Sequence, residues 1–320
     1  MPQDPTALMT IAHEKNGLTG MDIKPWHMRG TYRVYDKKGK PEYEGTYEEW
    51  WVSPAKYKLS FTNPKSMQTD YATGTALFRD GSQEWLTGPE FLLRASLVEP
   101  LPDPAQLKGF TLQRRTQSFG RAKMECVWLT YPVGPKVTTS GEFFPCACFE
   151  PSLPILRVYS IGSSSRVIYD HLVTFQGHYL ARQVQIFFSG KLAAEMNLDI
   201  VEGLKEPPDS IIAPPSGALQ IDLSKITFKE ASRGRWPELL RKALPVYPEE
   251  AKSTRTQGTV KIKAIIGPDG HVGNLQAIDG PGVLREPALD AVRQWIYRPF
   301  DVMGQPRAVE IEIRVIFSMG

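Results

Sequence analysis

The sequence has little cysteine, no long apolar run and almost no excess of either charge. Three cysteines in 320 residues are too few for a scaffold held together by disulfide bonds. No apolar stretch reaches the ~18–20 residues that a bilayer-spanning helix needs, so we predict no membrane span. The 38 basic residues nearly balance the 35 acidic ones. A net charge of +3 provides no basic face, and we predict no binding of nucleic acid.

The sequence also lacks the patterns on which catalytic and metal sites are built. It contains no Gly-x-Ser-x-Gly elbow, P-loop or dinucleotide fingerprint. Glu48 and Glu49 lie next to each other on a predicted strand, where they point to opposite faces and form no catalytic pair. The histidines have none of the spacings that bind zinc: His13, His27, His171, His178 and His271. We therefore predict a protein that is not an enzyme and needs no metal or cofactor.

Glycine and proline, by contrast, are abundant, with 26 and 27 residues. They separate short segments in which apolar and polar residues alternate, a pattern that predicts many strands joined by turns. The clearest example is a meander over residues 166–175, 178–188 and 192–201. Its short turns, Gln176-Gly177 and Ser189-Gly190, require neighbouring antiparallel strands in one sheet.

A proline-rich stretch without periodicity, residues 205–217, predicts a linker between two domains. The front domain, residues 1–204, is expected to contain most of the strands together with a leading helix and a mid-chain helix. The rear domain, residues 218–320, is expected to contain a hairpin, one helix and a last strand. Both domains are therefore predicted to have an α+β fold, and we expect each to fold independently.

The last 75 or so residues carry landmarks in a characteristic order: Tyr247-Pro248-x-x-Ala251, Gln257-Gly258-Thr259-Val260, Pro268-Asp269-Gly270-x-Val272, Ala288 to Trp295, Arg298-Pro299, Gly304-x-Pro306 and Val315-x-Phe317. On these residues, the chain from Pro245 onward resembles the C-terminal domain of the TonB family. The resemblance implies a domain that binds protein partners. It also implies a system that passes inner-membrane energy to outer-membrane transporters.

The sequence departs from this family in what precedes the domain. An energy transducer needs a membrane anchor and a long spacer, whereas the 13 residues of the predicted linker reach only about 40 Å at ~3.1 Å per residue. We therefore expect an adaptor or scaffold role in the periplasm. The expected partner is an extended peptide or an outer-membrane transporter. Residues 1–5 lack the features of a leader, and we expect a leader to have been removed.

The front domain resembles the half-barrel of the periplasmic lipoprotein carriers LolA and LolB. The shared features are the leading helix, Trp26 before the first long strand, a helix after Trp85 and the closing meander. The resemblance implies an antiparallel β half-barrel with helices, enclosing an apolar cavity for acyl chains. A lipid or lipoprotein carrier is thus the alternative function. The residues that could line such a cavity, or could simply form the core, are Trp50, Trp51, Phe61, Trp85, Phe91, Leu92 and Leu93.

The three cysteines are Cys126, Cys146 and Cys148. Their spacing alone leaves open a bridge from Cys126 to either of the other two, or free thiols in strands. The resemblances imply the periplasm, where disulfide bonds persist. On that basis we predict a bond between Cys126 and Cys148, with Cys146 free.

The last strand of the rear domain is the longest with clean alternation, and little sequence follows it to pair with its outer edge. Its backbone N–H and C=O groups should therefore be available. In the TonB family the last strand is similarly placed to receive an extended peptide by strand addition. The charged side chains could alternatively serve only to protect the edge. We predict that a partner segment, or the same strand of a second copy, binds to Ala308, Val309, Glu310, Ile311, Glu312, Ile313, Arg314, Val315, Ile316 and Phe317.

Overall fold

The computed structural model contains two compact units, a front unit and a rear unit. The structure describes residues 1–18, 22–83, 89–107, 110–119, 122–130, 145–160, 165–205, 209–222, 239–302 and 305–318. Trp85, one of the residues predicted to line a cavity, lies outside these ranges. Of these ranges, the last two, 239–302 and 305–318, belong to the rear unit.

The front unit contains three helices, a short 3₁₀ turn at Pro104–Leu107 and thirteen strands in its described residues. The helices are α1 (Pro5–Lys15), α2 (Pro89–Val98) and α3 (Asp209–Ile212). The strands are β1 (Trp26–Tyr35), β2 (Pro41–Ser53), β3 (Lys56–Asn63), β4 (Ser66–Thr73), β5 (Ala76–Gly81), β6 (Thr111–Phe119), β7 (Ala122–Thr130), β8 (Cys146–Phe149), β9 (Leu156–Ser160), β10 (Ser165–Phe175), β11 (His178–Phe188), β12 (Lys191–Gly203) and β13 (Leu219–Ile221).

These strands form one antiparallel sheet in the order β13-β5-β4-β3-β2-β1-β12-β11-β10-β9-β8-β7-β6. Most neighbours in the sheet are also consecutive in the chain, because short turns force antiparallel pairing. Two pairings join strands that are not consecutive. Strand β1 pairs with β12 as well as with β2 and so joins the first strands to the closing meander, and β13 pairs with β5. The predicted α+β class, an antiparallel sheet with helices, is confirmed for the front unit.

The predicted meander is present as β10, β11 and β12, and its turns show why the sequence specifies it. Gln176 and Gly177 both have positive φ, as do Ser189 and Gly190. Two consecutive left-handed residues make a turn whose twist matches that of the flanking strands. Each turn therefore fixes the register of its hairpin, from Phe175 opposite His178 onward in the first.

Helix α1 begins and ends at residues whose chemistry favours those positions. The side chain of Asp4 accepts a hydrogen bond from the backbone N–H of Ala7 at 2.7 Å, and Pro5 follows in the first turn, where its missing N–H costs little. Beyond the helix, Gly17 has φ +109°, and a Cβ atom there would lie 2.8 Å from the carbonyl oxygen of Val98. Only glycine fits this close approach.

The core of the front unit lies between the sheet and its helices. Leu8, Met9 and Ala12 of α1 are buried, as are Leu93 and Leu97 of α2. They share one cluster with inward side chains of β1, β2, β3 and β7 to β12. The packing therefore joins the first strands of the chain to the closing meander.

Part of the segment predicted as a linker contacts the front unit. Helix α3 buries Ile212, and Asp209 accepts a hydrogen bond from the ammonium of Lys56 at 2.7 Å. Strand β13 then pairs with β5, with Leu219 opposite Arg79. Residues 209–221 thus belong to the front unit: Ile212 is buried there, and residues 219–221 add a strand to the edge of its sheet. The boundaries 1–204, 205–217 and 218–320 and the independence of the domains stay predictions.

The described part of the rear unit contains two helices and seven strands. The helices are α4 (Glu249–Ser253) and α5 (Gly282–Val292), and the strands are β14 (Leu239–Arg241), β15 (Gly258–Ile266), β16 (Val272–Asp279), β17 (Ile296–Tyr297), β18 (Phe300–Val302), β19 (Gln305–Arg307) and β20 (Val309–Phe317). The main sheet has the order β16-β15-β20, and two small sheets pair β14 with β17 and β18 with β19.

Helix α5 and the main sheet form the core of the rear unit. Leu284, Ala288, Ala291 and Val292 are buried on one side of the helix, which contacts β15 and β16. The β15–β16 hairpin turns at Gly270, which has φ +82°. A Cβ atom there would collide with the carbonyl oxygen of Tyr297, so this turn requires glycine.

Candidate partner-binding edge and the interior of the front unit

Strand β20 lies at one edge of the rear sheet. It pairs antiparallel with β15 from Val309 opposite Ile266 to Phe317 opposite Gly258, without a shift in register. No other described strand pairs with it. Strand β20 thus covers Val309–Phe317 of the predicted strand 308–317, with Ala308 directly before it, and its outer edge is unpaired among the described residues. Binding at this edge stays a prediction.

The neighbouring hairpin determines which backbone groups of β20 point outward. The N–H of Gly267 donates to the carbonyl of His271 at 2.8 Å, across the β15–β16 turn. Because backbone groups alternate sides along a strand, odd-numbered residues of β15 face β16 and even-numbered ones, such as Ile266, face β20. The unshifted register then directs Val309 and the other odd-numbered residues of β20 toward β15. The residues whose N–H and C=O groups face the open edge are Glu310, Glu312, Arg314 and Ile316.

The two faces of β20 differ sharply in exposure. The odd-numbered side chains are buried, since they face the core, and the even-numbered ones are exposed. Among the exposed side chains, Ile316 is apolar and 71% accessible. Strand β20 thus has four residues whose backbone groups point to the open edge, while its odd-numbered side chains are held in the core by packing.

Ion pairs compensate the charges on the exposed face. The ammonium of Lys263 lies 2.9 Å from Glu310, and the guanidinium of Arg314 lies 3.2 Å from Glu312. Lys261 lies opposite Arg314 in the register but pairs with Asp279 of β16 at 2.7 Å. Lys263 thus pairs across strands with a β20 glutamate, whereas Lys261 pairs away from β20. These exposed pairs each contribute on the order of 0–1 kcal/mol.

Aromatic residues anchor the segment that precedes α4 to the end of β20. The ring of Tyr247 contacts the ring of Phe317 edge-on, with centroids 5.5 Å apart, and its hydroxyl donates to the carbonyl of Thr256 at 2.6 Å. The indole N–H of Trp295 donates to the carbonyl of Ala243 at 2.8 Å. The sequence pattern of the rear unit includes three of these residues, Tyr247, Trp295 and Phe317. Their contacts hold the segments of the unit together.

The described residues that were predicted to line one cavity in the front unit lie in different surroundings. Trp51, Phe61 and Leu93 are buried in the core cluster, and the ring of Trp51 stacks on Trp26 with centroids 5.7 Å apart. Leu92 packs against this cluster and is partly buried. Phe91 is also partly exposed, on the same helix.

Trp50 lies on the opposite face of the sheet from Trp51. Its ring stacks on the imidazole of His27 with centroids 3.7 Å apart. The two ring nitrogens of His27 lie 2.8 Å from a carboxylate oxygen of Glu202 and 3.0 Å from one of Glu48. Trp50 therefore belongs to an outer-face cluster and cannot line an interior cavity with Trp51. The alternation of side chains along β2 was the sequence signal for this separation.

The inner face of β2 to β5 carries two buried ion pairs that the sequence analysis missed. The guanidinium of Arg94 on α2 binds both carboxylate oxygens of Glu49, at 2.6 and 2.9 Å, and the hydroxyl of Tyr47 donates to Glu49 at 2.8 Å. The guanidinium of Arg79 binds both oxygens of Asp70, at 2.6 and 2.7 Å. These pairs make this side of the interior polar, unlike a cavity for acyl chains.

A third buried carboxyl group, that of Glu90, lies at the start of α2. Burial raises the pKa of Glu90 above its usual range, and the hydroxyl of Tyr43 donates a hydrogen bond to it at 2.8 Å. Burial also raises the pKa of the Tyr43 hydroxyl. Glu90 and Arg94 thus both connect α2 to β2 through polar contacts.

The cysteines lie on neighbouring strands. Cys126 of β7 is directly opposite Cys148 of β8, and the two form a disulfide bond. Cys146 is free and buried, and its burial raises the pKa of its thiol to about 11. Such a thiol is a poor nucleophile, since the reactive species is the thiolate.

Two general features bear on function. Within the described ranges, no group of histidine, cysteine, aspartate and glutamate side chains is arranged to bind a metal ion. None of the helices in the described part of the chain combines the length and apolar character that crossing a bilayer requires.

Comparison with known proteins finds a family match within the rear unit. Residues 243–319 match the family described as Gram-negative bacterial TonB protein C-terminal. The chain is 31% identical to protein TonB of Escherichia coli strain K12 over 85 residues, covering 26% of this chain and 34% of that protein. It is 31% identical to protein TonB of Klebsiella pneumoniae over 64 residues, covering 19% of this chain and 26% of that protein. The chain thus spans at most 34% of the length of these curated relatives.

Among solved structures, the chain is similar to a LolA superfamily protein from Nitrosomonas europaea. The similarity covers 67% of this chain and 99% of that chain, with a TM-score of 0.42 and 12% identity. The resemblance of the last 75 or so residues to the TonB C-terminal domain is confirmed by the family match.

Proposed function

We propose that this chain is a non-enzymatic protein of the periplasm whose rear domain binds an extended segment of a partner protein along the edge of β20. The observation that carries this proposal is the open edge with its four outward backbone units, at Glu310, Glu312, Arg314 and Ile316. A segment lying beside β20 extends the sheet by one strand, so its main chain supplies much of the affinity. The match to the TonB family supports a protein as the partner.

The role we propose is that of an adaptor in the cell envelope. The family match covers only the rear unit, whereas the front unit is a separate antiparallel sheet. In this proposal the rear domain captures the partner, an outer-membrane transporter or another protein with an extended segment, and the front unit connects it to a second component. We prefer this to a lipid carrier because Trp51, Phe61 and Leu93 are packed into the core and ion pairs occupy the inner face beside them.

The test is a proline substitution on the edge. Glu312→Pro removes one outward N–H but no hydrogen bond between β15 and β20, so the domain should keep its fold, as edge strands accept proline at such positions. The probe is a peptide selected on the wild-type chain from a random decapeptide library. We expect Glu312→Pro to weaken its binding at least about three- to tenfold, the value of one hydrogen bond.

Glu312→Ala is the matched control, because it removes the same carboxylate and keeps the N–H. It should bind the peptide nearly as well as the wild type. In hydrogen exchange, the bound peptide should protect the N–H groups of Glu310, Glu312, Arg314 and Ile316. If the proline variant binds normally, or if protection appears elsewhere, the proposed site is wrong.

A further inference from the structure

Two hairpin tips lie side by side at one end of the front sheet. The turn between β1 and β2 spans residues 36–40, and the turn between β11 and β12 is Ser189-Gly190. Strands β1 and β12 are neighbours, with Val34 opposite Ala194 near this end. The ammonium of Lys191 donates to the carbonyl oxygen of Lys37 at 3.2 Å, which brings the two tips into direct contact.

Lysines dominate the charge of these tips. Lys37, Lys38, Lys40 and Lys191 are all exposed, and Asp36 is the single carboxylate within the two turns. The side chain of Asp36 accepts hydrogen bonds from the backbone N–H groups of Lys38 and Lys40, at 2.8 and 2.9 Å. It thus organises the turn, and the four lysines around it stay exposed.

The other end of the sheet shows no comparable excess among its described residues. There, Lys24 and Lys205 lie beside the ends of β1 and β12, together with the carboxylates Asp22 and Glu202. A third hairpin near the lysine-rich tips carries Lys65, but its ammonium pairs with Glu42 at 2.8 Å. The positive charge is therefore concentrated on the two adjoining tips.

An exposed aromatic side chain accompanies these lysines. Phe188 is the last residue of β11, lies directly opposite Lys191 in the hairpin, and is 43% accessible. The aromatic ring and the ammonium groups occupy turns that project from the end of a sheet. Aromatic rings and lysines in combination are typical of surfaces that enter the headgroup region of a bilayer.

We propose that the two hairpin tips, residues 36–40 and 188–191, dock the front unit onto a membrane surface containing anionic lipids. Lysine is a compact, hydrated charge on a flexible stem, suited to a diffuse layer of headgroups, whereas specific carboxylate partners favour the planar fork of arginine. Each lysine near such a surface strengthens binding about fivefold at moderate salt. Phe188 adds a contribution that does not depend on charge.

The experiment uses the full chain and vesicles of phosphatidylcholine with or without phosphatidylglycerol, at about 0.1 M salt. We expect binding to the anionic vesicles and none to phosphatidylcholine alone. The double variant Lys37→Gln/Lys38→Gln should bind about 25-fold more weakly. Lys24→Gln/Lys205→Gln removes the same charge at the other end of the sheet and should bind as the wild type does.

Three outcomes would overturn the proposal. The first is that the wild type fails to bind anionic vesicles. The second is that both double variants lose binding equally, which would indicate a general effect of net charge. The third is that the tips bind an acidic protein and not a membrane. In that case soluble polyglutamate would compete fully with vesicles, and Phe188→Ser would leave vesicle binding unchanged. The proposal instead requires Phe188→Ser to weaken vesicle binding and polyglutamate to compete poorly.

Discussion

The buried ion pair between Glu49 and Arg94 offers the sharpest test of how the front unit is stabilised. The Glu49 side chain has no exposed surface, and its three hydrogen bonds come from Arg94, twice, and from Tyr47. Arg94→Met removes two of these bonds and keeps a long apolar stem. The variant therefore leaves a buried carboxylate with one neutral donor.

The expected loss of unfolding free energy is about 3–5 kcal/mol, because an ionised group remains buried without its partner. Replacing the pair together, as Glu49→Leu/Arg94→Met, removes that penalty but leaves the buried hydroxyl of Tyr47 without an acceptor, at about 1–3 kcal/mol. Adding Tyr47→Phe removes the hydroxyl as well. The triple variant should therefore approach the stability of the wild type, although it lacks every polar contact of the cluster.

Urea unfolding followed by tryptophan fluorescence measures these differences, since Trp26 and Trp51 lie in the same core. Lys65→Met is the control, because its pair with Glu42 is largely exposed and should contribute less than about 1 kcal/mol. If Arg94→Met loses no more stability than Lys65→Met, the pair is not buried as described. If the triple variant is no more stable than Arg94→Met, the loss of unfolding free energy arises from packing and not from the unpaired charge of Glu49.

Three further predictions follow from the cysteines, from Glu90 and from the rear unit. The native chain should show no thiol that reacts rapidly, since Cys146 is buried with a raised pKa, and the unfolded chain should show one; three thiols without reductant would contradict the disulfide. Burial raises the pKa of Glu90 above 4.5, so the stability linked to this group is full at lower pH and falls as the pH rises. Glu90→Gln should therefore gain stability relative to the wild type as the pH rises above 4.5, and a difference independent of pH would refute this. A fragment of residues 223–320 should melt cooperatively on its own, and an unfolded circular dichroism spectrum would show that it needs the front unit.

Local patterns in the sequence predicted much of the fold. The meander was predictable because Gln176-Gly177 and Ser189-Gly190 adopt left-handed turns that allow only one pairing. The alternation in the last strand also predicted which face of β20 is buried, because side chains alternate between the two sides of a strand. In both cases the information lies within a few neighbouring residues.

The buried ion pairs could not be predicted in this way. Arg94 and Glu49 are 45 residues apart in the sequence, and nothing in either segment indicates the other. The register that places Arg79 opposite Asp70 likewise follows from how β4 pairs with β5. Burial of charge depends on the assembled sheet and helix, so the sequence favoured an apolar interior that the structure does not have on this side.

The separation of Trp50 from Trp51 has a different origin. Alternation along β2 already assigned these neighbours to opposite faces, and the same rule had excluded Glu48 and Glu49 as a pair. The cavity hypothesis grouped them by residue type instead. Residue type identifies side chains that tend to be buried, but only position along the strand determines which of them can meet.

The edges of the front sheet are less suited than β20 to pairing with a partner strand. On the front sheet, β13 offers only three residues, and β6 carries the exposed charge of Arg115, which discourages pairing with another strand. Strand β20 offers nine residues and contains neither a proline nor a break in register. Its outward charges are compensated by Lys263 and within the strand, so little electrostatic repulsion remains against an incoming segment. An edge of this length, left open and electrically balanced, is a liability for a protein with no use for it. Its presence in a domain matched to the TonB family is the strongest reason to look for a partner there first.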